Sequence, residues 1–158
     1  MCQLKTIACL AGLLVLSAAA SAQQDVINTF AGGGPNNVPA TSANASDAIA
    51  LATDGSGNYY FAIAGEPEVR VFKVNASGVL TVLAGNGFAG YSGDGGPGPQ
   101  AELNVPSGIA ADSSGNVYIA DTDNCLVRKV DTSGAISTFA GTPGQCGYAG
   151  DGGLATSA

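Results

Sequence analysis

The sequence predicts an all-β protein made of four-stranded antiparallel blades, a β-propeller fragment with about two complete blades. After the N-terminal leader no segment keeps the 3.6-residue apolar period of an amphipathic helix. The 158 residues include 24 glycines and no tryptophan, a composition typical of many short strands joined by tight turns. Equivalent strands end at Gly32, Gly85 and Gly141, and this spacing exceeds the usual ~40–45 residues of a blade by one long connector.

The first 22 residues have the features of a secretory signal peptide. Lys5 precedes a short apolar core, and a small-residue motif ends at Ala22. A membrane anchor is the alternative, but an anchor needs about 20 apolar residues and this core already ends at Ser17. We therefore expect cleavage between Ala22 and Gln23, and a mature protein that is secreted, either periplasmic or extracellular.

The recurring apolar segments predict the strands. In the first unit they span 49–53, 59–63, 69–74 and 79–83, and in the second unit 107–111, 117–120, 126–130 and 135–139. Residues 26–30 match a fourth strand with no first three strands before them, so we expect an orphan outer strand there. A β-solenoid is the alternative, but hairpin turns between successive strands favour antiparallel blades.

The turn between the first two strands has the same motif, Asp-x-x-Gly-Asn, in both units. The aspartate can accept hydrogen bonds from backbone N–H groups further along the turn, and the glycine supplies a positive φ. We expect these residues to define tight hairpins: Asp54, Gly57 and Asn58 in the first unit, and Asp112, Gly115 and Asn116 in the second.

Two cysteines, Cys125 and Cys146, remain after the leader is removed. An even pair in an exported chain predicts a disulfide, with two free buried thiols as the alternative. The connectors contain a second recurring motif, Gly-Asp-Gly-Gly, around Asp94 and Asp151. It is too rich in glycine for a strand, and we expect an ordered loop.

These repeats divide the chain into a signal peptide over 1–22 and an incomplete propeller domain over 23–158. The units cover about 33–85 and 86–141, and a third unit starts at 142–158. A propeller closes with about 4–8 blades. We therefore expect this chain to be part of a longer protein or of an assembly, with the remaining blades needed for closure.

The motifs resemble the NHL repeat of secreted bacterial proteins. The second unit has Gly93-Asp94-Gly95-Gly96, then Leu103 to Ala110, Asp112 to Asp121, Asn124 to Val130 and Gly134 to Gly141. The resemblance implies a six-bladed, TolB-like propeller whose relatives are mostly binding platforms and in a minority enzymes. The first unit departs from the pattern, because Ile63 stands in place of Asp121 and Phe72 in place of Arg128.

Composition limits the chemistry. The chain has no histidine, which excludes Ser-His and Cys-His nucleophile pairs within it, so we predict no catalytic, cofactor-binding or metal-ligating residue. Ca²⁺ at Asp94 or Asp151 is a weak alternative, because each loop offers one carboxylate to a cation that takes about 6–8 oxygens. Asp121 and Asp123 are expected to form hydrogen bonds within the blade rather than to face a ligand.

Two functional hypotheses follow. The first is a non-catalytic secreted binding or scaffold module for a protein or carbohydrate. The second is a lactonase-type or lyase-type enzyme whose catalytic residues lie in the missing blades. Nucleic acid is excluded as a partner, because the mature chain carries four basic against 12 acidic residues, a formal charge of −8.

Overall fold

The computed structural model describes residues 38–40, 48–65 and 68–158. The predicted signal peptide, its cleavage site at Ala22 and Gln23, and the orphan strand at 26–30 lie outside these residues. The described residues form two antiparallel sheets and contain no α-helix, which confirms the predicted all-β, propeller-type fold.

The first sheet has five strands in the spatial order β1-β5-β4-β3-β2 and forms the first blade. Its strands are β1 (Val38–Pro39), β2 (Ala48–Thr53), β3 (Tyr59–Ile63), β4 (Val69–Val74) and β5 (Val79–Gly87). The second blade has the order β6-β7-β8-β9. Its strands are β6 (Pro106–Ala111), β7 (Val117–Asp121), β8 (Leu126–Val130) and β9 (Ile136–Ala140). Short 3-10 turns lie at Gly98–Gln100, Thr122–Asn124 and Ala155–Ser157.

The two blades share one register. Phe61 lies opposite Phe72 in the first blade, and Ile119 lies opposite Arg128 at the equivalent place in the second. The predicted strand bounds agree with the structure to within a residue, except that β5 continues to Gly87 rather than ending at Leu83. It continues because Gly87 still pairs with Val69 after a bulge, which the positive φ values of Gly85 and Gly87 permit.

Strand β1 was not predicted from the sequence. Val38 pairs with Leu80 and Pro39 with Val79, so the segment adds an outer edge to the first blade. Two residues are too few for a periodic signal, and proline is tolerated here because an edge strand need not donate from every backbone nitrogen. The second blade has a counterpart, an isolated bridge between Pro97 of the connector and Ala135.

The main core lies between the blades. One face of the first blade packs against the opposite face of the second, and the connector lies in the same cluster. The buried members are Tyr60, Ala62, Val69, Val71, Ala84, Ala101, Leu103, Val117, Ile119, Val130 and Ile136. A second cluster covers the other face of the first blade and comprises Ala40, Phe61, Ile63, Phe72, Val74 and Leu80. Each blade therefore has two faces. Its preceding face points towards the blade before it in the chain, and its following face points towards the blade after it. Neighbouring blades bury each other's faces, as in repeat proteins.

A disulfide joins Cys125 to Cys146, with the Cα atoms 5.2 Å apart. It ties the turn before β8 to the connector that follows β9, and it fits an oxidising compartment. No helix in the described part of the chain is long and apolar enough to span a bilayer.

Candidate functional site

Each Asp-x-x-Gly-Asn turn is closed by its aspartate. In the first blade Asp54 Oδ1 accepts hydrogen bonds from the backbone N–H of Ser56 (2.8 Å) and of Asn58 (3.3 Å). Its Oδ2 accepts from Asn58 Nδ2 (2.6 Å) and from the Tyr60 hydroxyl (3.0 Å). The hydrogen bond from the Asn58 side chain is the largest of the effects that hold the pKa of Asp54 at about 2. Burial and this carboxylate raise the pKa of Tyr60 to about 12.

The second blade repeats this arrangement. Asp112 accepts from the backbone N–H groups of Ser114 and Asn116, from Asn116 Nδ2 and from the Tyr118 hydroxyl. The Asn116 side chain is the main cause that lowers the pKa of Asp112. In the structure Gly57 and Gly115 have φ values of 83° and 88°. The polar atoms of both turns are used to hold the hairpins.

A buried ionic cluster lies on the preceding face of the second blade, beside the apolar residues of the core. The Arg128 side chain is fully buried, and its guanidinium donates to Asp121 (3.3 Å) and to Asp94 (2.6 Å). It also donates to the backbone carbonyls of Ser92 (3.1 Å) and Glu102 (3.3 Å) in the connector. Arg128 thus joins the connector to β7 and β8 from the inside of the blade.

The carboxylate of Asp121 is committed to this cluster. It accepts from the backbone N–H of Asn104 (2.6 Å) and from Asn124 Nδ2 (2.9 Å), and Asn124 also donates to the Gly90 carbonyl. Burial raises the pKa of Asp121, although these hydrogen bonds and the Arg128 charge act in the opposite direction. The contacts agree with the expected role inside the blade, whereas Asp123 is exposed.

Asp94 attaches the connector to the blade, because it binds Arg128 and Thr138 as well as a residue of its own loop. Its Oδ2 accepts from the backbone N–H of Thr138 (3.0 Å) and from the hydroxyl of Tyr91 (3.1 Å). Burial alone would raise the pKa of Asp94, but the Thr138 hydrogen bonds and the Arg128 charge outweigh it and lower the pKa. The Tyr91 ring lies 4.9 Å from Arg128 Cζ, a cation–π contact. Both Asp94 oxygens are therefore occupied by protein groups rather than turned towards a cation site.

The candidate ligand site is a groove between the turns of the two blades. It has a volume of about 260 Å³ and is open to solvent. Its lining is polar and comprises Asp54, Ser56, Asn58, Tyr60 and Lys73 of the first blade, and Ser113, Ser114, Gly115 and Thr132 of the second. Ligand pockets for drug-sized molecules are about 300–1,000 Å³, so this groove suits one or two side chains or a single sugar ring.

Lys73 provides the cationic group of the groove. Its Nζ lies 5.7 Å from the centroid of the Tyr60 ring, and Lys129 lies in the same way 5.9 Å from Tyr118 in the second blade. Lys129 is not among the residues that line the groove. The groove is formed by the turns of two neighbouring blades, and the turn near Lys129 has no second blade beside it in the described residues. Sequence reasoning missed the groove, since it showed that both turns have one motif but not that stacking brings them together.

Among residues 38–40, 48–65 and 68–158, no group of three or more His, Cys, Asp or Glu side chains is arranged to hold a metal ion. The groove contains one carboxylate, Asp54, whose two oxygens are used by the turn. What the groove offers a ligand is therefore the Lys73 ammonium and several serine and threonine hydroxyls.

Comparison with known proteins supports an NHL-type domain. Residues 87–149 match the model of the family described as the teneurin NHL domain. Chicken teneurin-1 is 41% identical over 54 residues, 34% of this chain. Human teneurin-4 is 32% identical over 97 residues, 54% of this chain, and human teneurin-1 is 29% identical over 125 residues, 65% of this chain.

The match has a limited extent. It includes the connector, the second blade and the disulfide, while the chain spans only 2–4% of the length of these relatives. These three relatives are proteins of chicken and human. The bacterial origin and the six-bladed, TolB-like ring stay predictions from the sequence motifs.

Proposed function

We propose that this chain is part of a secreted NHL-type propeller that acts as a non-catalytic binding module, and that its ligand is a protein. The domain begins after a signal peptide over 1–22 and comprises the units at about 33–85 and 86–141 with the connector 142–158. The disulfide, the two-sheet fold and the match to an NHL domain support the compartment and the class. The observation that carries the proposal is the polar groove at the junction of the two blades.

The chemistry of the groove favours a protein over a carbohydrate. A sugar that stacked on an aromatic ring would need the ring's face, but Tyr60 is only 1% exposed and its hydroxyl is bound to Asp54. A polar loop of a protein can instead place a carboxylate near Lys73 and pair its backbone with the hydroxyl groups of Ser113 and Ser114. Two opposed turns with a lysine in the lining fit a short peptide segment.

The test is selection followed by mapping. A library of random heptapeptides displayed on phage is panned against the full chain, and the strongest peptide is titrated into the wild type and the Lys73→Gln variant. We expect Lys73→Gln to weaken binding roughly tenfold or more, because a hydrogen bond to a charged group contributes about 1.5–3 kcal/mol. Amide shifts in NMR spectra should centre on Ser56, Ser114 and Thr132.

Lys129→Gln is the matched control, because Lys129 has the same relation to its tyrosine but lies outside the groove. An equal loss of affinity in both variants would mean a general charge effect and would exclude the groove. A panel of neutral oligosaccharides titrated in parallel tests the carbohydrate alternative. Shifts at the groove from a sugar and none from any selected peptide would overturn the protein assignment.

A further inference from the structure

Phe88 is the most exposed large apolar side chain of the connector that joins the two blades. It directly follows the end of β5, its exposed fraction is 73%, and it belongs to neither apolar cluster of the described residues. A side chain with this exposure adds little to the stability of the fold, because apolar groups stabilise a protein by being removed from water. The ring is therefore available to a partner.

The loop around Phe88 is held in place on both sides of the ring. Phe88 N–H donates to Asn86 Oδ1 at 2.9 Å. On the other side Gly90 N–H donates to the Leu103 carbonyl (3.1 Å), and the Gly90 carbonyl accepts from Asn124 Nδ2 (2.8 Å). The ring is thus presented from a fixed backbone, which reduces the entropy that a partner loses the chain on binding.

Two glycines in this loop leave room for charged side chains next to Phe88. A Cβ atom on Gly90 would lie 2.8 Å from Glu102 Oε2, so the Glu102 carboxylate rests directly against the loop backbone. A Cβ atom on Gly87 would lie 3.0 Å from Arg70 Nη2. Because Phe88 lies between these two glycines in the chain, a carboxylate and a guanidinium flank it.

The two flanking charges differ in whether they are already neutralised. Arg70 forms an ion pair with Glu68. Glu102 is half-buried and takes part in no ion pair among the residues that the structure describes. Arg128 reaches only its backbone carbonyl, at 3.3 Å. An uncompensated negative charge therefore lies beside an exposed ring, and this combination attracts a cation.

The same connector shows how a ring and a carboxylate together hold an arginine. Inside the second blade Arg128 Cζ lies 4.9 Å from the centroid of the Tyr91 ring, and Arg128 Nη2 donates to Asp94 at 2.6 Å. The ring supplies a cation–π contact and the carboxylate a charge-assisted hydrogen bond. Phe88 and Glu102 offer the same two groups at the surface, and within the described part of the chain neither has a cation–π contact or an ion pair.

We propose that Phe88 and Glu102 form a docking site for an arginine side chain in a basic segment of a partner protein. The guanidinium stacks on the Phe88 ring and donates to the Glu102 carboxylate. Arginine is favoured over lysine, because its planar group stacks on aromatic rings and can pair with a carboxylate through two donors. After residue 22 the chain has four basic and 12 acidic residues, a formal charge of −8, which favours a basic partner as well.

This site is separate from the proposed ligand groove. The groove lies at the hairpin turns, whereas Phe88 follows β5 at the opposite end of the strands. The two sites also differ in charge, because the groove offers the Lys73 ammonium and this site offers the Glu102 carboxylate. Each assignment can therefore fail without the other.

The test is an NMR titration of the full chain with capped pentapeptides. The probe peptide has arginine at its centre between glycine and serine residues, and three otherwise identical peptides have lysine, glutamine or leucine there. We expect the arginine peptide to bind in the millimolar range, because one side chain makes only a cation–π contact and one ion pair. Amide shifts should centre on residues 86–90 and Glu102, with weaker binding of the lysine peptide and no such shifts from the two neutral peptides.

Variants of the full chain test the two groups separately. Phe88→Ser should weaken binding of the arginine peptide about fivefold and Glu102→Gln about threefold. Phe88→Trp should bind it at least as tightly as the wild type, because indole makes the strongest cation–π contacts. Asp123→Asn is the matched control, since it removes an exposed carboxylate at the same end of the strands, and it should leave the affinity unchanged.

Several outcomes would overturn the proposal. Equal binding of the arginine and glutamine peptides would exclude a cationic ligand, and equal binding of the leucine peptide would reduce the site to an apolar contact. An equal loss in Asp123→Asn and Glu102→Gln would mean that only the overall negative charge matters. Shifts at Ser114 and Thr132 instead of residues 86–90 would move the peptide to the groove, and the absence of any shift at millimolar peptide would exclude the site.

Discussion

The two blades have the same backbone but opposite interiors on their preceding faces. In the first blade Phe72 stacks on Phe61 with ring centroids 5.1 Å apart, and Ile63 completes an apolar cluster. In the second, Arg128 and Asp121 occupy the positions of Phe72 and Ile63 and are fully buried as an ion pair. The strand register is the same in both blades. The repeat therefore specifies the sheet, whereas the buried side chains at these positions differ between the blades and are exchanged together.

The difference shows what the polar set provides. A buried ion pair is no more stabilising in general than well-packed apolar residues of similar volume, because both charges must be desolvated. Arg128 instead reaches outside its blade to Asp94, Ser92 and Glu102, which a phenylalanine cannot do. The second blade therefore adds side-chain hydrogen bonds to the backbone pairing of its connector, whereas Ala40, before the first blade, donates its N–H to the Gly78 carbonyl and packs in the apolar cluster.

The largest expected effect on stability comes from replacing Arg128 alone and leaving its buried carboxylate partner in place. Arg128→Met leaves Asp121 buried without its cation, and we expect a loss of about 3–5 kcal/mol in the free energy of unfolding, measured with urea at pH 7. Phe72→Met is the matched change in the first blade and should cost less than about 1.5 kcal/mol, because only packing is altered. The Arg128→Met loss should shrink as the pH falls, since burial favours the neutral form of Asp121.

A set replacement sharpens this result. The triple variant Asp94→Asn, Asp121→Ile and Arg128→Phe gives the second blade the apolar pair of the first. It should regain part of the stability that Arg128→Met loses, because the unpaired charge is gone while the Asn104 N–H and the Asn124 amide lose their acceptor. If the triple variant is as unstable as Arg128→Met, the two fillings are not interchangeable. A smaller loss for Arg128→Met than for Phe72→Met would show that the buried charges are not held as a set.

A second difference between the blades is the disulfide, which is present only in the second among the described residues. Cys125→Ser with Cys146→Ser opens a loop with a sequence separation of 21 residues, and chain entropy predicts a loss of about 3 kcal/mol. Hydrogen exchange should rise around Thr122–Asn124 and in residues 142–146, and change little in the first blade. Reduction of the wild type should reproduce the effect; equal loosening of both blades would mean that the crosslink acts on the whole chain rather than locally.

Local chemistry was predictable from the sequence, and contacts between distant segments were not. The Asp54 and Asp112 turns and the pairing of two cysteines depend on residues within about 20 positions, and the strands depend on short apolar segments that recur in both units. The bonds of Arg128 to Ser92 and Asp94 connect residues 36 and 34 positions apart, and the groove joins turns of different blades. These depend on how one blade stacks on the next. A signal existed for Arg128, because the same unit that has the Gly-Asp-Gly-Gly loop has the arginine.

The smallest expected effect on stability is at the hairpin turns, where the two blades should behave alike. Hydrogen bonds from Asn58 and Asn116 lower the pKa of Asp54, to about 2, and of Asp112. A depressed carboxyl pKa stabilises the fold at pH values above the unfolded value of about 3.9, and this stabilisation is lost as the pH falls towards the folded value. Asp54→Asn and Asp112→Asn should each lower stability at pH 7, though only modestly because both side chains are near solvent, and by less as the pH falls to about 2. The decline between about pH 4 and pH 2 is then flatter than in the wild type. Urea unfolding across that range measures this change, with Asp123→Asn as a control at an exposed site.

Flattening by only one of the two variants would mean that the blades differ in their turns as well as in their interiors, and that the backbone repeat does not by itself set the turn electrostatics.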